Sequence, residues 1–277
     1  VPFLFFLFMI TAVFSSPALG NQHEATEEIG FTEIGDVYTA AKHLQSVSEA
    51  PASISIVTDE DIKRYGYRTI TDVVNNVRGF YSYSDRNYDY IGVRGFARLG
   101  DYGNRVLQLV DGHAMNDNIY GSFFMGHGFG VDMGLIKRIE FIRGPGSSLY
   151  GNNAVFGTVN VLTKNGGDIN GLHTKLEGGS YDTYSGTVTY GKQFSQTYDL
   201  LVSASFIGSQ GQSLYYPEYA ASGGWSRDCD EEKAWKFFIK ATAGELTFLA
   251  NAVSRKKNVP TAAYGSIFND DRLKMED

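Results

Sequence analysis

The apolar positions of the chain follow two periods. Over residues 52–163, brief alternating runs are interrupted by two stretches of helical spacing; after Asn165-Gly166-Gly167 the alternation becomes sustained. Residues 52–57, ASISIV, alternate and predict a strand. Thr58-Asp59-Glu60-Asp61 then fits a capping box, in which side chains satisfy the orphan N–H groups of a helix start. It predicts a short helix to Tyr65, with Gly66 as a left-handed cap. The device repeats at Thr69 and Asp72, opening a second helix whose Val73, Val74 and Val77 share one face and which Gly79 stops. Further strands are predicted over 80–84, 91–94, 106–110, 136–142 and 155–163. Between them lie a tip at 85–90 rich in tyrosine and charge, an Asp111-Gly112 turn, and a glycine- and aromatic-rich loop over 113–130. Gly144-Pro145-Gly146 breaks the chain before a tight turn over 147–150. Short capped helices among strands predict an α+β unit.

Residues 172–178, 184–192, 199–208, 234–242 and 245–254 read differently. Each has a period of two over a length near the roughly 9–11 residues of a membrane-barrel strand. Tyr184, Gly186, Val188 and Tyr190 face one way against Ser185, Thr187 and Thr189. Leu200, Val202, Ala204 and Phe206 oppose Leu201, Ser203 and Ser205; Trp235, Phe237 and Ile239 oppose Lys236, Phe238 and Lys240. One apolar and one polar face suits a wall between lipid and a polar lumen, and it equally suits a soluble antiparallel sheet. The long polar segment 210–232 predicts an outside loop, and Ala243-Gly244 a short turn at the opposite end.

Composition narrows the classes. The net charge of −7 excludes a basic nucleic-acid binder. Glycine (32), Tyr (18) and Phe (19) are abundant and Pro (6) is scarce, as in β-structure with many turns. The single cysteine, Cys229, forms no internal disulfide, and no Cys/His cluster has zinc spacing. No run of 18 apolar residues occurs, so the sequence predicts no transmembrane helix. The apolar stretch 2–14, followed by Ala18-Leu19-Gly20, predicts a signal peptide over 1–20 that lacks its start. Residues 21–46 are polar and acidic and predict a mobile extension. No G-x-S-x-G, H-E-x-x-H or P-loop pattern points to an enzyme, and no metal or cofactor is expected.

Residues 47–164 resemble the plug domain of TonB-dependent outer-membrane receptors. The resemblance rests on pieces in order: residues 50–61 as the first strand and helix, and 72–80 as the second helix. Ile91-Gly92-Val93-Arg94-Gly95-Phe96 follows, then 106–112, VLQLVDG. The closing signature is Ile139-Glu140-Phe141-Ile142-Arg143-Gly144-Pro145 with Leu149-Tyr150-Gly151 and 154–164. The resemblance implies a plug over 47–165 and the first antiparallel strands of a transmembrane barrel over 166–277. A family barrel has roughly 22 strands, so this one is expected to be incomplete here.

What the resemblance implies about function is uptake of a scarce nutrient (an iron-siderophore, haem, cobalamin or similar chelate) across a Gram-negative outer membrane. The expected partners are TonB, outer-membrane lipid and the small ligand. The plug would sit inside the barrel, with a periplasmic N-terminus. TonB would add a strand to a short exposed segment, for which the candidate is Asp36, Val37, Tyr38, Thr39, Ala40 and Ala41. Tyr81, Tyr83, Arg86, Tyr88, Tyr90 and Arg98 are the candidate ligand-binding residues, offering aromatic faces and positive charge. Arg94 and Arg143 are expected to pair with barrel carboxylates, with Glu140 as a further plug–barrel contact. His113 and His127 are the alternative haem ligands in the loop. The competing class is a plugless porin-like or adhesin-like β-protein, which would conduct or bind without TonB.

Overall fold

The computed structural model describes Asp36–Val37, Gln45–Ser46, and residues 53–97 and 100–277. β1 (Asp36–Val37) pairs antiparallel with β2 (Gln45–Ser46). β3 (Ser53–Thr58) runs into α1 (Asp59–Tyr65), and the capping box forms as the residues require. Thr58 Oγ1 accepts from Asp61 N at 3.2 Å while Asp61 Oδ2 accepts from Thr58 N at 2.9 Å. Gly66 closes the helix at φ 66°.

Thr69 and Asp72 cap α2 (Ile70–Asn76) in the same way. This helix stops before the glycine that was expected to end it. Val77 is already extended (φ −96°, ψ 121°) and buried in the core. Gly79, at φ 85°, instead turns the chain into β4 (Phe80–Ser84), and its carbonyl accepts from Arg94 N at 2.9 Å. β4 pairs with β5 (Asp89–Val93) as a separate hairpin.

The remaining plug strands are β6 (Val106–Val110), β7 (His113–Ala114), β8 (Ile136–Arg143) and β9 (Gly157–Thr163), with the single turn of α3 (Ser147–Tyr150) before β9. They join β3 in one sheet of order β3-β8-β9-β6-β7, in which β6 and β9 run parallel. A parallel pair is buried on both faces, and β6 is buried throughout, including Gln108. The Gln108 amide is satisfied by the loop after β7: its Nε2 donates to Phe124 O at 2.8 Å and its Oε1 accepts from Phe124 N at 2.9 Å. Asn116 does the same for β6 backbone, accepting from Gln108 N and donating to Val106 O. Side chains thus replace a further strand and fix the 113–130 loop to the sheet.

After α4 (Gly166–Ile169) comes an antiparallel meander, β10 (Gly171–Gly179), β11 (Thr183–Gln193), β12 (Tyr198–Ser209), β15 (Glu232–Ala243) and β16 (Leu246–Asn258). The long segment between β12 and β15 carries a small hairpin, β13 (Leu214–Tyr215) with β14 (Trp225–Ser226). A sixth strand, β17 (Lys274–Glu276), pairs with the end of β16 in a stretch expected to hold none.

Register decides the two faces. Leu176, Gly186, Phe206, Trp235 and Ser254 lie in one cross-strand row; Lys175, Thr187, Ser205, Lys236 and Val253 lie in the next, pointing the other way. The first face is bare, with Leu176 84% and Trp235 54% exposed, whereas Leu201 and Phe238 on the opposite face are fully buried. Both belong to the core cluster that includes Val73, Phe141 and Val161 of the plug. The polar face of the wall therefore receives the plug, and the apolar face is left outward. Among the described residues no helix is long and apolar enough to cross a membrane.

Candidate functional site

The β4–β5 tip is built by one carboxylate. Asp85 Oδ1 accepts from Asn87 N at 2.8 Å and Tyr88 N at 2.7 Å, and its Oδ2 accepts from the Tyr90 hydroxyl at 2.7 Å. Arg86 takes the left-handed conformation (φ 73°) that this turn imposes. Burial and the Asp85 bond both push the Tyr90 hydroxyl pKa up, so it stays a donor. The tip, the 113–130 loop and the wall enclose a cavity of about 780 Å³. Its lining includes Arg86, Tyr88, Tyr90, Tyr120, Arg255 and Tyr264.

Arg255 joins tip and wall. Its Nε meets Glu232 Oε1 at 2.6 Å, its Nη1 meets Asp277 Oδ2 at 3.2 Å, and its Nη2 donates to Asn87 O at 2.6 Å. The guanidinium lies over the Tyr88 ring at 5.6 Å, and the Tyr88 hydroxyl donates to Asp277 Oδ1 at 2.8 Å. Lys257 is similarly engaged, with Asp230 Oδ1 at 2.5 Å. His127, in a short 3-10 turn, also borders the cavity, and burial pushes its pKa below the ordinary value.

A second set of ties lies at the end of the wall with the tight turns. Lys240 Nζ reaches Asp111 Oδ2 at 3.0 Å and Thr163 Oγ1 at 3.2 Å. Asp111 in turn accepts from Thr163 N at 2.8 Å and Thr163 Oγ1 at 2.6 Å. Asp199 of β12 accepts from Gly166 N at 2.6 Å and Gly167 N at 2.9 Å, fixing α4 to the wall.

The expected ligand residues divide. Arg86, Tyr88 and Tyr90 line the cavity. Tyr81 and Tyr83 do not: the Tyr81 ring lies over Gly92, and Tyr83 stacks on Tyr90 at 5.1 Å. Arg98 lies outside the described residues. Of the candidate box, Asp36 and Val37 form β1; Tyr38, Thr39, Ala40 and Ala41 lie outside the described residues. Glu140 is fully buried and paired with Arg138, two residues along the same strand, at 2.8 Å. Arg143 donates to Ser53 Oγ at 3.1 Å and to the Arg78 carbonyl, both plug groups. Arg94 is exposed at the end of β5, at φ 53°. Burial, Arg78 and Arg94 all push the Arg143 pKa down, which marks three guanidiniums gathered on one side of the plug. His113 and His127 do not converge. His113 adjoins the Asp111 turn near Lys240, while His127 shares the cavity with Glu232, at the other end of β15 and about 26 Å away by strand rise.

Sequence reasoning missed Arg255 and Lys240 as partners of the plug. The signal was present in the alternation, since a basic residue on the inward face of a barrel strand must meet a carboxylate or water.

Residues 46–158 match the family model of the TonB-dependent receptor plug domain. An iron-regulated outer membrane virulence protein of Vibrio cholerae is 33% identical over 158 residues, which is 55% of this chain and 22% of that protein. The vitamin B12 transporter BtuB of Vibrio vulnificus is 28% identical over 192 residues, 68% of this chain and 30% of that protein. The matched region thus spans less than a third of these relatives' length. The solved pyoverdine receptor FpvA of Pseudomonas aeruginosa, bound to pyoverdine, shares the fold with a TM-score of 0.59 at 19% identity, over 80% of this chain and 30% of that one. By name, the second of these is a transporter and the third a receptor. Residues 46–158 of this chain are a TonB-dependent receptor plug domain, and the antiparallel strands that follow resemble the start of the barrel in solved receptors of that family.

Proposed function

We propose that the protein imports a scarce nutrient, carried as an iron chelate or a cobalamin-like cofactor, across the outer membrane with energy delivered by TonB. The observation that carries this reading is the seating of the plug on the polar face of a wall whose other face is apolar. A plug in that position blocks passive flow, so transport requires it to move. The loop-bearing end of the wall, with the cavity and its Arg86, Tyr88 and Tyr90, would face the outside and meet ligand, with Tyr81, Tyr83 and Arg98 supporting it. The tight-turn end and the N-terminus would face the periplasm. There Asp36, Val37, Tyr38, Thr39, Ala40 and Ala41 would offer TonB a strand to pair with. Arg94 and Arg143 would pair with barrel carboxylates; the two lie close together, since Arg143 donates to the Arg78 carbonyl and Arg94 N to the neighbouring Gly79 carbonyl.

The test is uptake of iron-loaded chelates by cells that carry the full receptor and no other, with and without TonB. Uptake is expected to need TonB, and Val37→Pro is expected to abolish uptake while leaving ligand binding intact. Equal uptake in cells lacking TonB would refute the reading and favour a porin-like protein. Normal uptake by Val37→Pro in TonB-containing cells would remove only the assignment of the box.

A further inference from the structure

β3 is the first strand of the plug sheet in chain order, and it ends that sheet, paired with β8. The register runs from Ser53↔Arg143 to Thr58↔Arg138, and β8 in turn sets Ile136 opposite Thr163. Thr163 meets Lys240 at the tight-turn end of the wall. Thr58 therefore lies toward that end, and Ser53 is about 17 Å further from it along the strand.

Arg143 reinforces the pair at Ser53. Its Nε donates to Ser53 Oγ at 3.1 Å, its Nη2 to Ile54 O at 3.4 Å and its Nη1 to Arg78 O. The stem of the side chain packs on Gly79, where a Cβ would stand 3.0 Å from Arg143 Cδ. The backbone beyond it is fixed as well, since Gly144 N donates to Phe156 O at 3.0 Å. One guanidinium fork thus clamps the first two residues of β3 to the turn that follows α2. At the opposite end of β3, the Thr58 side chain is engaged in the cap of its own helix. All of these contacts lie within the plug domain.

The direction of load decides what the clamp does. A pull on the chain ahead of Ser53, directed toward the tight-turn end, runs back along β3. It loads the ladder pairs one after another from Ser53, so the strand peels. The opposite direction of pull would load all six pairs together. In peeling, the first pair sets the threshold, because each later pair bears load only after the one before it has opened. That first pair is the one Arg143 reinforces.

The geometry points to Arg143 as the latch of the plug: a periplasmic pull on the N-terminal segment peels β3 from β8, and the Arg143 clamp on Ser53 and Ile54 is the first contact to give way. The inference takes the periplasmic N-terminus from the uptake reading and adds which contact resists the pull. It gives Arg143 a task inside the plug beside any barrel carboxylate it meets, for which the fork has further N–H groups.

Force-clamp measurements on the full receptor in a lipid bilayer test it without TonB. A handle is attached through Ser48→Cys, in a Cys229→Ser background that leaves one thiol, and pulled from the periplasmic face at constant force. Arg143→Ala should speed the first rupture about tenfold, as for the loss of hydrogen bonds to a charged group, and Ser53→Ala, which removes one of them, about threefold. Val57→Ala, late in the peel, should lower thermal stability and leave the first rupture unchanged. With the handle moved to His113→Cys, in the turn after β6, Arg143→Ala should have no effect on rupture. The inference is overturned if Arg143→Ala leaves the rate from Ser48 unchanged. It is overturned equally if rupture from His113 speeds up as much, which would mean a general loosening of the plug, or if Val57→Ala matches Arg143→Ala, which would mean that β3 is sheared. Because the handle stands in for TonB, none of these outcomes touches the uptake reading, which fails if transport proceeds equally without TonB.

Discussion

Lys240 is the point at which the structure commits to a docked plug. Its ammonium is only 12% exposed and sits 3.0 Å from Asp111 Oδ2, itself 17% exposed. At an effective dielectric constant of about 20, two unit charges at that separation attract by roughly 5–6 kcal/mol. Much of this offsets the cost of removing both charges from water. In Lys240→Ala, Asp111 keeps its bonds from the Thr163 amide and hydroxyl, so the carboxylate is not stranded. The expected loss therefore lies at the low end of the range for breaking such a pair, about 2 kcal/mol. That corresponds to roughly a thirtyfold larger population of plug released at this end. Hydrogen exchange on the full receptor in detergent reads it directly. The amides of Gly166 and Gly167, which bond Asp199 of the wall at the same end, should exchange about thirtyfold faster. The amides of Asn87 and Tyr88, bonded to Asp85 at the far end, should change less than threefold. A double cycle with Asp111→Asn should give a coupling near the same 2 kcal/mol. Coupling below about 0.5 kcal/mol, or equal acceleration at both ends, would refute a local tie and make Lys240 part of a single diffuse interface.

Three further outcomes follow from single sites. In Gly166→Ala the new methyl would collide with the Leu200 carbonyl and stand 2.7 Å from Lys192 N, both backbone; a loss of about 1–3 kcal/mol in thermal stability is expected, while Gly178→Ala, with open space around it, should be neutral. Thr69→Ala removes the hydroxyl that accepts from Asp72 N and should cost about 1 kcal/mol, seen as faster exchange confined to α2. Burial raises the Asp117 pKa, but the bonds from Ser122, Tyr120 and Ile119 outweigh it and leave the value below the ordinary 3.8. The order of the Tyr120 turn should then be complete above that value and be lost as pH falls through the lowered one, followed by amide exchange at Ile119 and Tyr120; Asp117→Asn should remove this pH dependence.

Much of the local structure is legible in the chain because it depends on neighbours a few residues apart. The two capping boxes, the left-handed cap at Gly66 and the alternation of Tyr184 to Tyr190 each follow from interactions within one turn or one strand. The end of α2 was misplaced because burial of Val77, a tertiary event, outweighed the stop signal at Gly79. β17 was missed because three charged or polar-flanked residues become a strand only when β16 supplies the other half of the ladder.

The functional surface divides along the same line. The chain by itself determined a plug-like α+β unit followed by a two-faced wall, and it placed Arg86, Tyr88 and Tyr90 on one tip, since all three lie in a single hairpin. Only the tertiary structure decided which face of the wall receives the plug, because period two gives two faces without saying which is covered. It also decided what the basic residues meet. Arg255 finds Asn87 and Lys240 finds Asp111 across more than a hundred residues of chain, and a column of tyrosine rings from Tyr83 to Tyr120 is gathered from three segments. No local pattern encodes such meetings; they follow from sheet register and from the requirement that a charge removed from water find a partner.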